Sequence, residues 1–257
     1  MNQVNAALAA GTWTGLPQLF SWGNNSSGQL GLGNTTSYSS PKQIGALNTW
    51  SKIANRAGHN IVTKIDGTLW AFGVNVAGQL GDGTTTSRSS PVQIGALTTW
   101  LTVAGGAYHT AAIKTDGTLW TWGSNSIGQL GDGATTASRS SPGTTAAGGG
   151  NWLRVACSGG LGSIAQSGHT VAVKTDGTLW TWGRNTEGQL GTGTTTNRSS
   201  PGTTIIGGYD WVKISCGGGT SAAIKNDGTL WTWGRNFVVG FGQGVLGDGT
   251  TVGKSSP

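Results

Sequence analysis

A repeated nine-residue phrase is the feature that most constrains the fold of this chain. Thr-Asp-Gly-Thr-Leu-Trp-Thr-Trp-Gly occupies residues 115–123 and recurs at 175–183, with related versions at 65–73 and 226–234. The aromatic residues that precede the last glycine of each copy, including a shorter first copy, are Trp22, Phe72, Trp122, Trp182 and Trp233. Their spacings are 50, 50, 60 and 51 residues. Such a period predicts a repeat architecture in which each unit buries its apolar faces against its neighbours.

Each unit is typical of short antiparallel strands. In the third unit, residues Trp100–Ala104 and Thr110–Lys114 read as strands, and Thr118–Trp122 reads as another. The Asp-Gly pair at 116–117 predicts a tight hairpin turn, because Gly tolerates positive φ and Asp bonds its own backbone. A weaker strand, Val92–Ile94, precedes them and completes a predicted four-stranded blade. Since no stretch shows a 3.6-residue apolar period, the predicted fold is an all-β propeller.

Composition excludes several other classes. Only 9% of the 257 residues are charged, and the 13 Trp argue against a disordered Gly-rich chain. The net charge of +6 comes from scattered Lys and Arg, which argues against nucleic acid as a partner. No apolar run approaches the roughly 20 residues of a membrane-spanning helix. Residues 1–11 lack the pattern of a signal peptide. We therefore expect a soluble protein, with cytoplasmic, virion-associated and cell-surface locations all left open.

The repeated residues resemble a known family. The motif Leu-Trp-Thr-Trp-Gly-x-Asn-x-x-Gly-Gln-Leu-Gly-Asp-Gly-Thr, with Gly-x-x-His-Thr-x-Ala-Ile upstream at 106–113, is similar to the repeat of the RCC1 family, the regulators of chromosome condensation. The resemblance covers residues 18–257 and leaves 1–17 as an N-terminal extension. It implies a β-propeller, and well-known members of the family have seven blades.

This chain has fewer units than those members. We count four full units and a split fifth, with the chain beginning on the third strand of a unit, Leu19–Gly23. The prediction is therefore a fragment or an incomplete ring, with closure by residues 1–17 as an alternative. An open ring exposes strand edges and an apolar blade face, so self-association through those edges is also expected to be available.

The histidines do not predict a catalytic or metal site. His59, His109 and His169 occupy the same position in three units, and the fourth unit has Thr220 there. Equivalent residues on separate blades do not converge on one ion, and no acid or nucleophile accompanies them. We predict that each His bonds a neighbouring loop, and that the chain is not an enzyme and holds no metal or cofactor.

Turn chemistry accounts for most acidic residues. One group lies in Asp-Gly hairpins: Asp66, Asp116, Asp176 and Asp227. A second group lies in Gly-Asp-Gly turns: Asp82, Asp132 and Asp248. One acidic residue per loop is too few for calcium. The two cysteines, Cys157 and Cys216, are predicted to be buried free thiols, with a bridge between them left open.

The candidate binding residues stand directly before each Ser-Ser-Pro. They are Tyr38, Arg88, Arg139, Arg198 and Lys254. A second recurring set lies beside the Asp-Gly turns: Lys64, Lys114, Lys174 and Lys225. Both sets read either as ordinary solvated loop charge, copied with the unit, or as a cationic ring that binds an anionic protein or polysaccharide.

The function predicted from these features is a non-catalytic binding or structural scaffold, used for protein–protein interaction or for surface or virion adhesion. One alternative is a lectin-like propeller that binds carbohydrate on its Trp side chains, although we expect the repeated Trp to pack between blades. The family resemblance implies a further alternative, a guanine-nucleotide exchange factor for a small GTPase. The fold alone does not select among these functions.

Overall fold

The computed structural model describes residues 18–46, 49–159, 168–238 and 242–257. The predicted N-terminal extension, 1–17, and the insertion at 161–167 lie outside these residues. The described part contains β-strands joined by turns and no helix, as predicted. The strands form successive antiparallel sheets, which we number as blades 1 to 5 in chain order.

Blades 2, 3 and 4 are complete four-stranded sheets. Blade 2 contains β3 (Trp50–Arg56), β4 (His59–Lys64), β5 (Leu69–Gly73) and β6 (Arg88–Gln93). Blade 3 contains β7 (Trp100–Gly105), β8 (His109–Lys114), β9 (Leu119–Gly123) and β10 (Arg139–Thr144). Blade 4 contains β11 (Trp152–Cys157), β12 (His169–Lys174), β13 (Leu179–Gly183) and β14 (Arg198–Thr203).

The two end blades have fewer strands. Blade 1 pairs only β1 (Phe20–Gly23) with β2 (Tyr38–Gln43). Blade 5 contains β15 (Trp211–Cys216), β16 (Thr220–Lys225) and β17 (Leu230–Gly234), and a single bridge joins Gly234 to Lys254 where blades 2, 3 and 4 have a fourth strand. The inserted segment of blade 5 pairs β18 (Phe237–Val238) with β19 (Gly242–Gln243). The described residues therefore form an arc of blades rather than a closed ring.

The fourth strand of each blade follows the other three, and the prediction for this strand was wrong. Val92–Ile94 was expected to belong to the third unit, but β6 pairs with β5 of blade 2. The outer strand of blade 3 is β10, which returns antiparallel to β9 after a long loop. Proline cannot donate to a strand ladder, so Pro91 suits this edge position. The chain passes from blade 2 to blade 3 in the connection between β6 and β7.

The predicted hairpin turn is confirmed. Gly117 has φ of +76°, and its N–H donates to the carbonyl of Lys114 at 2.9 Å. Asp116 Oδ1 accepts from the N–H of Thr118 at 2.9 Å and from its hydroxyl at 2.7 Å. These local bonds fix the turn between β8 and β9.

Tryptophans join consecutive blades, as predicted. Trp122, Trp182 and Trp233 are fully buried. The indole Nε1 of Trp122 donates to the carbonyl of Gln79 in the preceding unit at 2.9 Å, and Trp182 donates to Gln129 at 3.0 Å. Each ring therefore fills the space between two sheets while its only polar atom is satisfied across the same interface.

Blade 1 has an open edge in the part of the chain that the structure describes. Trp22, the counterpart of these buried rings, is 59% exposed, and Phe20 beside it is 45% exposed. They line an open cleft of about 460 Å³ that also contacts Phe72. Among the described residues, β1 pairs on one side only. Self-association through this edge remains a prediction.

Candidate functional site

The strand register places the recurring residues on two opposite rims of the arc. His59 and Arg88 both stand opposite Gly73, at one end of blade 2. Lys64 lies at the other end, where the Asp-Gly hairpin connects β4 to β5. We call the first end the loop rim, because it carries the long loops that follow β1, β5, β9, β13 and β17, and the second end the turn rim.

A buried asparagine organises each loop of the loop rim. These residues are Asn25, Asn75, Asn125, Asn185 and Asn236, all 0% exposed. In blade 2, Asn75 Oδ1 accepts from the N–H of Leu80 at 2.9 Å, and its Nδ2 donates to the carbonyls of Thr84 and Thr86 at 3.1 Å each. One side chain thus closes both ends of the loop. This role was not predicted from the sequence, although the Asn stands in the repeated motif two residues after the strand-ending Gly.

Three of the five predicted binding residues form ion pairs within their own loops. Arg88 Nη2 lies 2.6 Å from Asp82 Oδ2. The same relation joins Arg139 to Asp132 and Lys254 to Asp248, each at 2.8 Å. Turn chemistry therefore explains only part of what these aspartates do. They also neutralise the cation that follows in the sequence.

The protonation of these aspartates reflects their partners. Burial opposes the charged form of Asp82, but hydrogen bonds from Thr84 and Arg88 outweigh it and hold the pKa of the carboxyl below its ordinary value. For Asp248, the hydrogen bond from Lys254 is the main cause of a strongly lowered pKa. Both carboxylates are charged at neutral pH.

The other two predicted residues, Tyr38 and Arg198, make different contacts. In blade 1, the hydroxyl of Tyr38 lies 3.4 Å from Asn34 Nδ2, and the Lys42 ammonium lies 5.3 Å from the Tyr38 ring. In blade 4, Arg198 Nη1 donates to the carbonyl of Thr203 at 3.3 Å. All five residues stand on the loop rim. Their role in binding remains a prediction.

Two lysines of the turn rim, Lys64 and Lys114, are not solvated loop charges. Lys64 Nζ lies 3.7 Å from the ring centroid of Trp70 and 5.1 Å from that of Trp50, and Lys114 has the same two contacts in blade 3. Both lysines are buried. The ammonium is held against two indole faces, a cation–π arrangement that stabilises the blade. The expectation of ordinary solvation is therefore wrong for these two residues.

The histidines are structural, but they bond strands rather than loops. His59 Nε2 lies 3.2 Å from Thr110 Oγ1 on the next blade, and His169 Nε2 lies 2.7 Å from Ser221 Oγ. Burial lowers the pKa of His59 to about 4 and that of His169 to about 3. Both rings are therefore neutral at pH 7 and turned away from solvent. In the part of the chain that the structure describes, no three His, Cys, Asp or Glu side chains cluster as metal ligands.

Both cysteines, Cys157 and Cys216, are free thiols. The alternative of a disulfide bridge between them is not seen in this structure. Burial raises the pKa of Cys157 to about 12 and also raises that of Cys216. Such thiols carry almost no thiolate at neutral pH.

Comparison with known proteins agrees with this geometry. The family described as "Regulator of chromosome condensation (RCC1) repeat" matches residues 18–62, 66–113, 116–163 and 176–224, and a second RCC1 repeat description matches 101–129 and 211–243. The chain belongs to the RCC1 repeat family. The resemblance seen in the sequence is thereby confirmed.

Solved RCC1-type structures share the fold. Human WBSCR16 superposes with a TM-score of 0.78 at 24% identity, over 94% of this chain and 62% of that one. Yeast RCC1 (Prp20) bound to Kap60 superposes with a TM-score of 0.75 at 18% identity, over 93% of this chain and 56% of that one. At these identities the likeness shows the propeller fold alone.

Curated relatives match shorter stretches. The RCC2 homolog of Danio rerio is 37% identical over 82 residues, which are 30% of this chain and 16% of that protein. The X-linked retinitis pigmentosa GTPase regulator homolog of Caenorhabditis elegans is 37% identical over 99 residues, 38% of this chain and 6% of that protein. The aligned stretches thus cover well under a fifth of each relative. Within the described ranges of this RCC1-repeat chain, no helix is long and apolar enough to cross a membrane.

Proposed function

We propose that this RCC1-repeat chain is a non-catalytic protein-binding scaffold that contacts its partner through the loop rim. The observation that carries the proposal is the buried asparagine of each loop. Because Asn75 and its four counterparts hold the loops by three or more bonds, the exposed loop tips are already ordered before a partner arrives. Ordered loops lose little conformational entropy on binding, and loops on a rigid scaffold are where binding sites usually lie.

Named relatives support protein binding in general. Yeast Prp20 has been solved in complex with Kap60, and a second Prp20p structure was described together with its binding to Gsp1p and histones. The sequence identity to these structures is 18% and 19%, so the likeness supports no particular partner. We therefore propose the class of partner, a protein, and leave the exchange-factor and adhesion functions as predictions.

The state of the ionisable groups favours binding over catalysis. The histidines are buried, neutral and bonded to a neighbouring strand, so they are poorly placed to take a proton from a substrate. The thiols have raised pKa values, which makes them weak nucleophiles. The aspartates of the loop rim accept bonds from their own loops, as Asp82 does.

The lectin-like alternative has less support. Its sugar platforms would be exposed Trp faces, but Trp122 and Trp182 are buried between blades. Trp70 and its counterparts pack edge-to-face on a second Trp and hold a lysine. An anionic polysaccharide would also meet cations that are mostly neutralised by Asp, as at Arg88 and Arg139.

The test compares the two rims. Three exposed loop-tip threonines are changed together, Thr85→Glu, Thr135→Glu and Thr195→Glu, and proteins from the native source are captured with each form. The matched control carries Thr115→Glu, Thr175→Glu and Asn226→Glu, three exposed residues at the same position of the turn rim. We expect the triple variant to lose partners that the wild type and the control both retain. Equal capture by the triple variant and the control would overturn the loop-rim proposal.

A further inference from the structure

Among the loops that carry a cation before Ser-Ser-Pro, one departs from the others at a single charged position. The Gly-Asp-Gly turns of blades 2, 3 and 5 become Gly-Thr-Gly in blade 4, where Thr192 stands in place of the aspartate. The cation that follows is nevertheless kept as Arg198. The chain thus retains the arginine and loses the carboxylate that would neutralise it.

Thr192 performs only one of the two functions that the aspartate performs in the sister loops. In blade 2, Asp82 Oδ1 accepts from Asn75 Nδ2 at 3.1 Å, and Oδ2 accepts from Arg88 Nε at 2.7 Å. In blade 4, Thr192 Oγ1 accepts from Asn185 Nδ2 at 3.2 Å, so the structural bond is preserved. Threonine has no second side-chain oxygen. The loop therefore keeps its shape without an acceptor for the arginine.

The contacts of Arg198 show the consequence. Its Nη1 donates to the Thr203 carbonyl at 3.3 Å, as Arg139 Nη1 does to the Thr144 carbonyl at 3.4 Å. Arg139 also donates from Nη2 to Asp132, but among the described residues no Asp or Glu forms an ion pair with Arg198. Arg198 is partly exposed, and in the same loop the hydroxyls of Thr192 and Thr194 lie 3.0 Å apart.

From this break in the pairing we infer that Arg198 and Thr192 form a binding site for a carboxylate side chain, Asp or Glu, supplied by an acidic segment of a protein partner. The chemistry of the ligand follows from the sister loops, where an aspartate carboxylate occupies the corresponding place against Arg88 and Arg139. A guanidinium with free donors binds a carboxylate at two points, which gives direction as well as attraction. This inference rests on the proposed function, since it names the partner chemistry of one loop of the same rim.

The test follows the arginine side chains by NMR. The Nε–Hε resonances of Arg198, Arg88 and Arg139 are recorded during titration with a capped tri-glutamate peptide, a tri-glutamine peptide and a phosphoserine peptide at constant ionic strength. We expect the apparent affinity of the tri-glutamate peptide, taken from the titration curve of each resonance, to be roughly fivefold higher at Arg198 than at the two paired arginines, the ratio that a surface ion pair allows. We expect the tri-glutamine peptide to shift none of them.

Two reciprocal variants control for sequence context. Thr192→Asp supplies the missing carboxylate while keeping Arg198, so the response of Arg198 should fall to that of Arg88. Asp82→Thr copies the blade 4 arrangement into blade 2, so the response of Arg88 should rise to that of Arg198. Thermal unfolding of both variants checks that the propeller is intact, and the Thr192→Asp variant should be at least as stable as the wild type.

Several outcomes would overturn the site. They are an Arg198 response no larger than that of Arg88, an unchanged response in Thr192→Asp, and a response to the phosphoserine peptide alone. If the triple loop-tip variant loses its partners while Arg198 ignores tri-glutamate, the carboxylate site fails and the scaffold stands. If Arg198 responds but the loop-tip variant keeps its partners, the site stands and its use in the proposed function fails.

Discussion

The buried histidines make the stability of this propeller depend on pH. Burial lowers the pKa of His59 to about 4, and burial followed by neighbouring positive charge lowers the pKa values of His109 and His169 to about 3, from an ordinary value of 6.5. Between pH 6.5 and 4 the unfolded chain binds these protons and the folded chain does not. Stability therefore falls as the pH decreases through this window.

The size of the effect follows from the same values. At pH 5.5 each unfolded-state imidazole is about 90% protonated, which costs the folded state about 1.4 kcal/mol per histidine and about 4 kcal/mol for three. That is a large share of the roughly 5–15 kcal/mol that stabilises a typical domain. The aspartates of the hairpin turns contribute nothing here, because hydrogen bonds from Thr hydroxyls lower their pKa values below 3.8, as at Asp116 and Asp176.

Urea unfolding followed by Trp fluorescence at pH 7.5 and 5.5 measures this loss. The chain supplies its own control substitution, since Thr220 occupies the histidine position in blade 5. His109→Thr should reduce the loss between the two pH values by about one third, whatever its effect at pH 7.5. A free energy of unfolding that is equal at both pH values, or a loss unchanged by His109→Thr, would refute the assignment of the effect to buried neutral histidines.

Three further experiments, two pairs of substitutions and one thiol modification, test the packing. Trp182→Phe should cost about 1–3 kcal/mol of unfolding free energy, because it leaves a cavity between two blades and removes one of the two buried hydrogen bonds to the Gln129 carbonyl, the other coming from the Thr170 hydroxyl. Trp22→Phe should cost little at an exposed ring. Gly131→Ala should be much more destabilising than Gly45→Ala in urea unfolding, because both have φ near +65° but only the Gly131 Cβ would meet an indole, that of Trp182, at 2.6 Å. Cys157 should react with a thiol reagent at pH 8 only after unfolding, because burial raises its pKa to about 12; rapid reaction of the native protein would contradict this.

Local chemistry made part of the fold predictable. The turn at Asp116 and Gly117 was readable because its bonds join residues two or three positions apart. The outer strand was assigned to the wrong blade because its pairing is not local. Residues 88–93 lie between β5 and β7, and the sequence does not say which of the two they join. The structure decides this through the ladder from β6 to β5.

The recurring residues of the loop rim were recognisable in the sequence, but their electrostatics were not, and their role in binding remains a prediction. The arginines before Ser-Ser-Pro were found from their recurrence, and the Gly-Asp-Gly turns were found separately. Their pairing depends on a loop that brings residues six or seven positions apart within 2.8 Å, as in Arg88 with Asp82 and Arg139 with Asp132. A side chain that satisfies a turn and neutralises a cation at once has no signature of its own in the sequence.

Because the same loop occurs several times in this chain, positions that the loop needs for its fold can be distinguished from positions that vary between units. Every loop of the loop rim needs its buried Asn, because that side chain carries the bonds that close the loop, as Asn185 does with the carbonyls of Thr194 and Thr196. The position of Thr192 needs only one acceptor oxygen for that Asn. A change there from Asp to Thr therefore alters the charge of the loop without altering its fold. Loops of this kind can differ in the surface charge that they present while the propeller that carries them stays the same.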